Sequence, residues 1–391
     1  MKILLWLSLF IVFYAFFGYG ILLFLIIKIK RALKGKPVIP APTPEEFPTC
    51  TIIIAAYNEE DFIAEKIENT LNLAYPEGKL EIVFITDGSS DNTPSIVASY
   101  PQIKHMHSSL RQGKMAAVHR AIDEVKSEVI VFTDANTFLN KDALINICRH
   151  YADPRVGAVA GEKRVNVEET SDATAGEGFY WKYESKLKTW DSELYSVVGA
   201  AGELFSVRTA LYEHVPPTAI IDDFMISMLI AKKGYRIIYE PEAYAAENSS
   251  ANVKEELKRK IRIAAGGLQS IIWLGDLLLP IKLPVLSFQY VSHRVLRWTI
   301  VPFLMILALV LNIVIVANDP QAGIIYQLLL LAQVAFYLAA LLGWLLETRK
   351  MKVKLLFIPY YFCMMNYAVI RGEFRYLAGN QSAVWEKAKR K

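Results

Sequence analysis

Cysteine is scarce in this chain. Cys50, Cys148 and Cys363 are three in 391 residues, scattered and without a CxxC spacing, a set that fits a reducing compartment. Two phosphate-binding signatures are missing as well. No GxGxxG follows any apolar run of the first half, which speaks against a dinucleotide-dependent dehydrogenase. Gly113-Lys114 has neither the following Ser/Thr nor the upstream glycine of a P-loop, which speaks against an ATPase of that kind. The formal net charge is only +4 and comes mostly from basic residues beside apolar segments, so it carries no nucleic-acid signal.

Apolar sequence is what abounds. Hydrophobic residues make up 53% of the chain and gather at its two ends. Ile3 to Ile27 holds no charge and exceeds the ~30 Å hydrocarbon thickness at ~1.5 Å per residue. It has no small-x-small cleavage site, so a transmembrane helix is the better reading than a signal peptide. Lys28, Lys30, Arg31, Lys34 and Lys36 follow at once, which places the N-terminus outside and the next domain in the cytoplasm. The expected division is an N-terminal transmembrane helix over 1–28, a Pro-rich linker over 29–48, a globular domain over 49–265 and a membrane-associated region over 266–391.

The globular part alternates strand and helix, the pattern of a mostly parallel α/β sheet. Thr51 to Ala55 is a buried strand, followed by the polar loop Tyr57 to Asp61 and a helix carrying Ile63, Ile67 and Leu71. Ile82 to Asp87 and Val129 to Asp134 both run β-branched and aromatic residues into a Thr-Asp pair. Each is predicted to be a buried parallel strand with a carboxylate at its C-terminal end, the edge where open α/β sheets bind ligands. Lys104 to His107 is a further strand on which His105 and His107 alternate. Gly157 to Gly161 and Arg236 to Tyr239 read as short strands. Gly199 and Gly202, within the apolar run Val197 to Val207, mark close backbone approach. Asp222-Asp223 opens a helix that stops at Gly234.

In the C-terminal region, Leu268 to Tyr290 is interrupted by Asp276, Pro280, Lys282 and Pro284 and suits the membrane interface. A transmembrane hairpin is predicted at about 298–316 and 324–346, with Trp298 and Trp344 as interface anchors. Residues 355–370 form either a re-entrant or interfacial segment or a third C-terminal span, followed by a cytoplasmic tail.

Asn58-Glu59, Asp87 and Asp134 fall at one edge of the inferred sheet, where helix N-termini also favour phosphate. Together with Asp87-Gly88-Ser89-Ser90-Asp91-Asn92-Thr93, Gly113-Lys114, Thr133-Asp134-Ala135-Asn136, Asp222-Asp223 and the stretch Arg259 to Arg262, they occur in the order and spacing of membrane-bound family 2 glycosyltransferases. The chain most resembles the cellulose synthase, hyaluronan synthase and poly-N-acetylglucosamine synthase-like branch, over nearly its whole length and including the tail from Gly379 to Trp385.

The resemblance implies an α/β, GT-A (Rossmann-like, mostly parallel sheet) cytoplasmic domain with N- and C-terminal transmembrane and interfacial helices. It implies inverting transfer of a sugar from a nucleotide-diphosphate donor, with uridine the expected base, to a glycan or lipid-linked acceptor for cell-wall, capsule or exopolysaccharide synthesis. Partner subunits of an export or synthesis complex would accompany such a role. By position, Ala56, Asn58, Glu59, Asp87, Lys114, Asp134 and Arg262 would bind the nucleotide-sugar, and Gly202, Glu203 and Asp222 the acceptor. Asp223 would be the catalytic base, because an inverting single displacement needs one carboxylate at the acceptor hydroxyl and no covalent nucleophile. Asp134 and Asn136 would hold Mg²⁺ or Mn²⁺. Asn136 stands where the family has a second acid, and Arg259 and Ile263 stand where processive synthases have Gln and Trp. A non-catalytic nucleotide-binding transport or scaffold protein is the competing class.

Overall fold

A computed structural model describes residues 1–166, 174–248, 253–319, 321, 323–349 and 353–380 of the chain. The expected family-like tail lies mostly beyond residue 380, outside the described residues.

Eight strands form one sheet in the order β3-β2-β1-β4-β7-β6-β8-β5. They are β1 Cys50–Ala56, β2 Leu80–Asp87, β3 Lys104–Ser108, β4 Val129–Thr133, β5 Phe138–Leu139, β6 Val156–Asn166, β7 Leu204–Arg208 and β8 Arg236–Asn248. The half containing β1 to β4 is parallel throughout, as its doubly apolar strands predict. From β1 the chain moves outward to β2 and β3, then returns to place β4 on the other side of β1. This reversal is the topological switch point at which such sheets open a crevice. On the far side of β4 the sheet turns mixed: β7 pairs antiparallel with both β4 and β6, and β5 antiparallel with β8, whereas β6 and β8 run parallel. The antiparallel step matters for the site. It sets Leu204 opposite Thr133, so the loop before β7 meets the C-terminal end of β4.

Two apolar layers cover the sheet. One face buries Ile52, Ile54 and Phe84 with Ile63 and Ile67 of the helix Ile63–Leu71. The other buries Ile53, Ile85 and Phe132 with Phe224, Met225 and Met228 of the helix Asp222–Lys232. This second core takes in Leu274, Leu277, Leu286 and Tyr290, from the segment expected at the membrane interface. The same segment exposes Ile272, Leu279 and Ile281, so it faces core on one side and presents apolar residues outward on the other. Trp298, expected as an interface anchor, packs partly into the core. Its ring packs 5.2 Å from that of Phe224 and against Gly267, where a side chain would collide with it.

Among the described residues, three helices are long and apolar enough to cross a membrane: Lys2–Lys34, Ile300–Asn318 and Ile324–Thr348. The first does two jobs. Its upper half packs Leu5 against Ala308 and Ile315, with Lys2 bonded to Asp319 at 2.9 Å. Its lower half docks Tyr19, Leu23 and Ile27 on Leu187 of the helix Thr174–Leu194, and Arg31 forms a bidentate pair with Glu193. Where the halves meet, both this helix (Tyr14–Gly18) and the segment Val291–Val295 contain a π turn. Arg297 donates to the Ala15 carbonyl at 2.7 Å, one of the groups a π turn leaves available. Beside it, the buried His293 bridges Asp191 and Glu184, Tyr19 donates to Asp191, and Arg294 and Arg297 bond Glu184. Residues 354–377 form one continuous helix, Lys354–Leu377, with no re-entrant turn.

Candidate active site

Strand ends and the turns after them build the pocket. Ala55, Ala56, Tyr57 and Glu59 come from the end of β1, Asp87 from the end of β2, and Asp134, Ala135 and Asn136 from the turn after β4. Arg111, Gly113, Lys114 and Ala117 close it from the loop and helix that follow β3. Of the residues expected to hold the nucleotide-sugar, Ala56, Glu59, Asp87, Lys114 and Asp134 line this pocket, whereas Asn58 and Arg262 do not. Asn58 takes a left-handed φ of +54° and bonds the Ser90 amide through Oδ1 at 2.8 Å, tying two loops together.

Asp87 is buried, and its carboxylate is already engaged by the chain. Oδ2 accepts from the Gln112 and Gly113 amides at 2.9 and 2.8 Å, and Oδ1 accepts from Arg120 at 2.8 Å. It therefore shapes the loop that delivers Lys114. Gly113 supports the same delivery with a φ of +95°, a conformation that strains any residue with a side chain. Lys114, the first residue of its helix, donates to Asp134 Oδ1 at 2.7 Å. Burial would lower the Lys114 ammonium, but the charge of Asp134, with Asp222 and Asp223 beyond it, holds it above the ordinary lysine value.

The second half of the site faces this pair. Asp222 and Asp223 begin their helix, and Gly202 lies against Asp223. Burial and then the charge of Asp222 push the Asp223 carboxyl up to about 7, against the opposing pull of the Phe224 amide and Lys114. Two residues of the helix Val253–Trp273 hold the segment leading into Asp222. Arg262 donates to the Ile220 carbonyl at 2.8 Å, and Gln269 bonds the Ile220 amide and the Thr218 carbonyl, both at 2.9 Å. Glu203 pairs with Lys163 at 2.5 Å and Arg259 at 3.8 Å. These cations outweigh the effect of burial and keep its carboxyl well below the usual range.

Sequence reasoning passed over Gln269, Lys66, Tyr57 and Arg111. The Arg111 guanidinium lies 3.9 Å above the centre of the Tyr57 ring at the pocket mouth. Tyr57 had one readable signal, its place between the end of a buried strand and Asn58. His105 and His107 both bond the Thr86 hydroxyl at 2.8 Å, which accounts for their alternate spacing.

Asp134 and Asn136, the pair expected to hold a divalent cation, both line the pocket. Asn136 Oδ1 is buried with no hydrogen-bond partner, and Asp134 Oδ2 has none among the described residues. One carboxylate and one amide oxygen suit a hard cation that takes its remaining ligands from water and phosphate. Among the described residues no group of three or more His, Cys, Asp or Glu side chains is arranged to bind a metal.

The mostly parallel sheet with its switch-point crevice is that of a GT-A fold. The mannosyltransferase PcManGT from Pyrobaculum calidifontis, solved in complex with GDP-Man and Mn²⁺, shares that fold with a TM-score of 0.72, over 97% of this chain and 100% of that one at 24% identity. Residues 51–215 match the family model Glycosyl transferase family 2. It is 27% identical over 259 residues to a poly-beta-1,6-N-acetyl-D-glucosamine synthase of Staphylococcus aureus, a stretch covering 63% of this chain and 60% of that one. It is also 32% identical over 166 residues to a beta-monoglucosyldiacylglycerol synthase of Trichormus variabilis, covering 40% of this chain and 34% of that one. The matches thus span less than two thirds of either relative.

Proposed function

We propose that the protein is a membrane glycosyltransferase that moves a sugar from a nucleoside-diphosphate donor to a glycan or lipid-linked acceptor, with inversion at the anomeric carbon. The observation that carries this reading is the juxtaposition of the Lys114-Asp134 pair with Asp223, whose carboxyl is raised to about 7.

The nucleoside occupies the pocket beside the stacked Tyr57 and Arg111, with its diphosphate toward Lys114 and Arg262. Arginine and lysine there meet phosphate with charge-assisted hydrogen bonds. Asp223 accepts the proton of the acceptor hydroxyl as that oxygen attacks, and a pKa near the working pH suits a general base. Gly202 leaves room beside it for a sugar. Asp134 and Asn136 would hold a divalent cation, which would supply positive charge to the departing diphosphate. Without a tryptophan at Ile263 to stack on an extending chain, the product is a short extension or a single addition. The catalytic domain lies in the cytoplasm with the N-terminus outside, as the basic residues after Ile27 require.

Incubation with a panel of UDP- and GDP-sugars, followed by nucleoside-diphosphate release and product sizing, tests the proposal. Release above the rate of donor hydrolysis with one of the sugars supports it. Donor binding without transfer to any acceptor fraction would favour a nucleotide-binding scaffold instead.

A further inference from the structure

Lys66 has no counterpart in the reading above. It sits on the helix Ile63–Leu71 with 0% of its surface exposed, between the apolar Ile63 and Ile67. Its ammonium donates to the Thr137 carbonyl at 2.6 Å and to the Thr133 hydroxyl at 3.2 Å. The Thr133 hydroxyl donates in turn to the Glu203 carbonyl at 2.8 Å. Thr137 closes the turn by donating from its own hydroxyl to the Asp134 carbonyl at 3.0 Å.

A buried cation is costly unless it is paired. The carboxylate that acts on Lys66 is Asp134, whose Oδ1 is taken by Lys114 from the other side. Burial accordingly pulls the Lys66 ammonium down to about 7. A leucine or methionine would fill this space without that cost, so packing does not account for a lysine here. What the lysine adds is connection, since three segments distant in sequence meet through its hydrogen bonds and the onward bond of Thr133. They are the helix after β1, the turn that carries Asp134 and Asn136, and the loop that carries Gly202 and Glu203.

We infer that Lys66 is a positioning residue: through Thr133 it sets the donor-side turn against the acceptor-side loop, and so fixes the gap across which the sugar moves. This inference rests on the proposed transfer reaction.

The test compares Lys66→Met, Thr133→Val and the double variant in the full-length protein. For each, kcat, both KM values, the Kd for nucleoside diphosphate and the thermal midpoint are measured. Misplacement by about 1 Å can cost on the order of 10²-fold, so each single variant should lose about tenfold or more in kcat. Nucleoside-diphosphate Kd should move by less than ~3-fold. The double variant should lose little more than one single variant, because both break the same chain of hydrogen bonds.

Folded single variants that keep wild-type kcat would overturn the inference, as would losses that multiply in the double variant. If Lys66→Met fails to fold, Thr133→Val decides alone: a fall in kcat supports the tie and an unchanged kcat removes it. Wild-type protein that transfers no sugar would defeat the underlying reaction and the inference with it. Wild-type transfer with an unchanged Lys66→Met kcat would defeat only the inference.

Discussion

Gly202 lies so close to Asp223 that a Cβ built on it would be 3.3 Å from the carboxylate Oδ2. The contact joins the loop before β7 to the start of the helix Asp222–Lys232. Gly202 has no left-handed φ, so an alanine there meets no backbone strain. Gly202→Ala should therefore fold normally and crowd the base. We expect kcat to fall ~10-fold while donor affinity holds, since small displacements at a reacting group are costly. Steady-state kinetics beside nucleoside-diphosphate titration checks this, and an unchanged kcat would place the acceptor elsewhere.

The pH profile follows from Asp223. Its carboxyl is raised to about 7 by burial and by Asp222, and it accepts a proton only when ionised. Turnover should rise with pH through about 7 and then level off. Asp222→Asn removes a negative neighbour that favours the protonated form, so the rising limb should move to lower pH. A limb that stays in place in the variant would show that another group controls it.

Asn136 offers a gain-of-affinity experiment. Among the described residues its buried Oδ1 has no partner, and it lines the pocket beside a single carboxylate, Asp134. Asn136→Asp adds a second charge for a cation and a repulsion for bare diphosphate. The variant should bind Mn²⁺ about tenfold more tightly in the presence of nucleoside diphosphate, and bind the metal-free nucleotide more weakly. Manganese paramagnetic resonance and calorimetry read the two effects separately. Unaltered Mn²⁺ binding would remove Asn136 from the donor set.

The parallel half of the fold was legible because β1, β2 and β4 are apolar on both faces. β6 and β8 were not: only Gly157 to Gly161 and Arg236 to Tyr239 looked like strand, yet they extend to Asn166 and Asn248. Their second halves carry Glu162, Lys163 and Arg164, and Glu240, Pro241 and Glu242, which hide the apolar alternation. Their register shifts there as well. The N-terminal run was legible as a helix fit for a membrane. Its division between Ile300–Asn318 and Leu187 was not, because residues that face lipid and residues that face protein are equally apolar. Within the site, acids at strand ends announced themselves. Lys66, Gln269 and the saturation of Asp87 depend on partners brought together only by folding.

The central claim is that Asp223 takes the acceptor proton across from the Lys114-Asp134 pair. Asp223→Asn preserves shape and removes the base. Measured with the preferred sugar donor, the variant should lose about 10²- to 10⁴-fold in transfer. Its Kd for the nucleoside diphosphate should stay within ~3-fold of the wild-type value. Transfer at the wild-type rate, in a variant that still binds donor, would contradict the account.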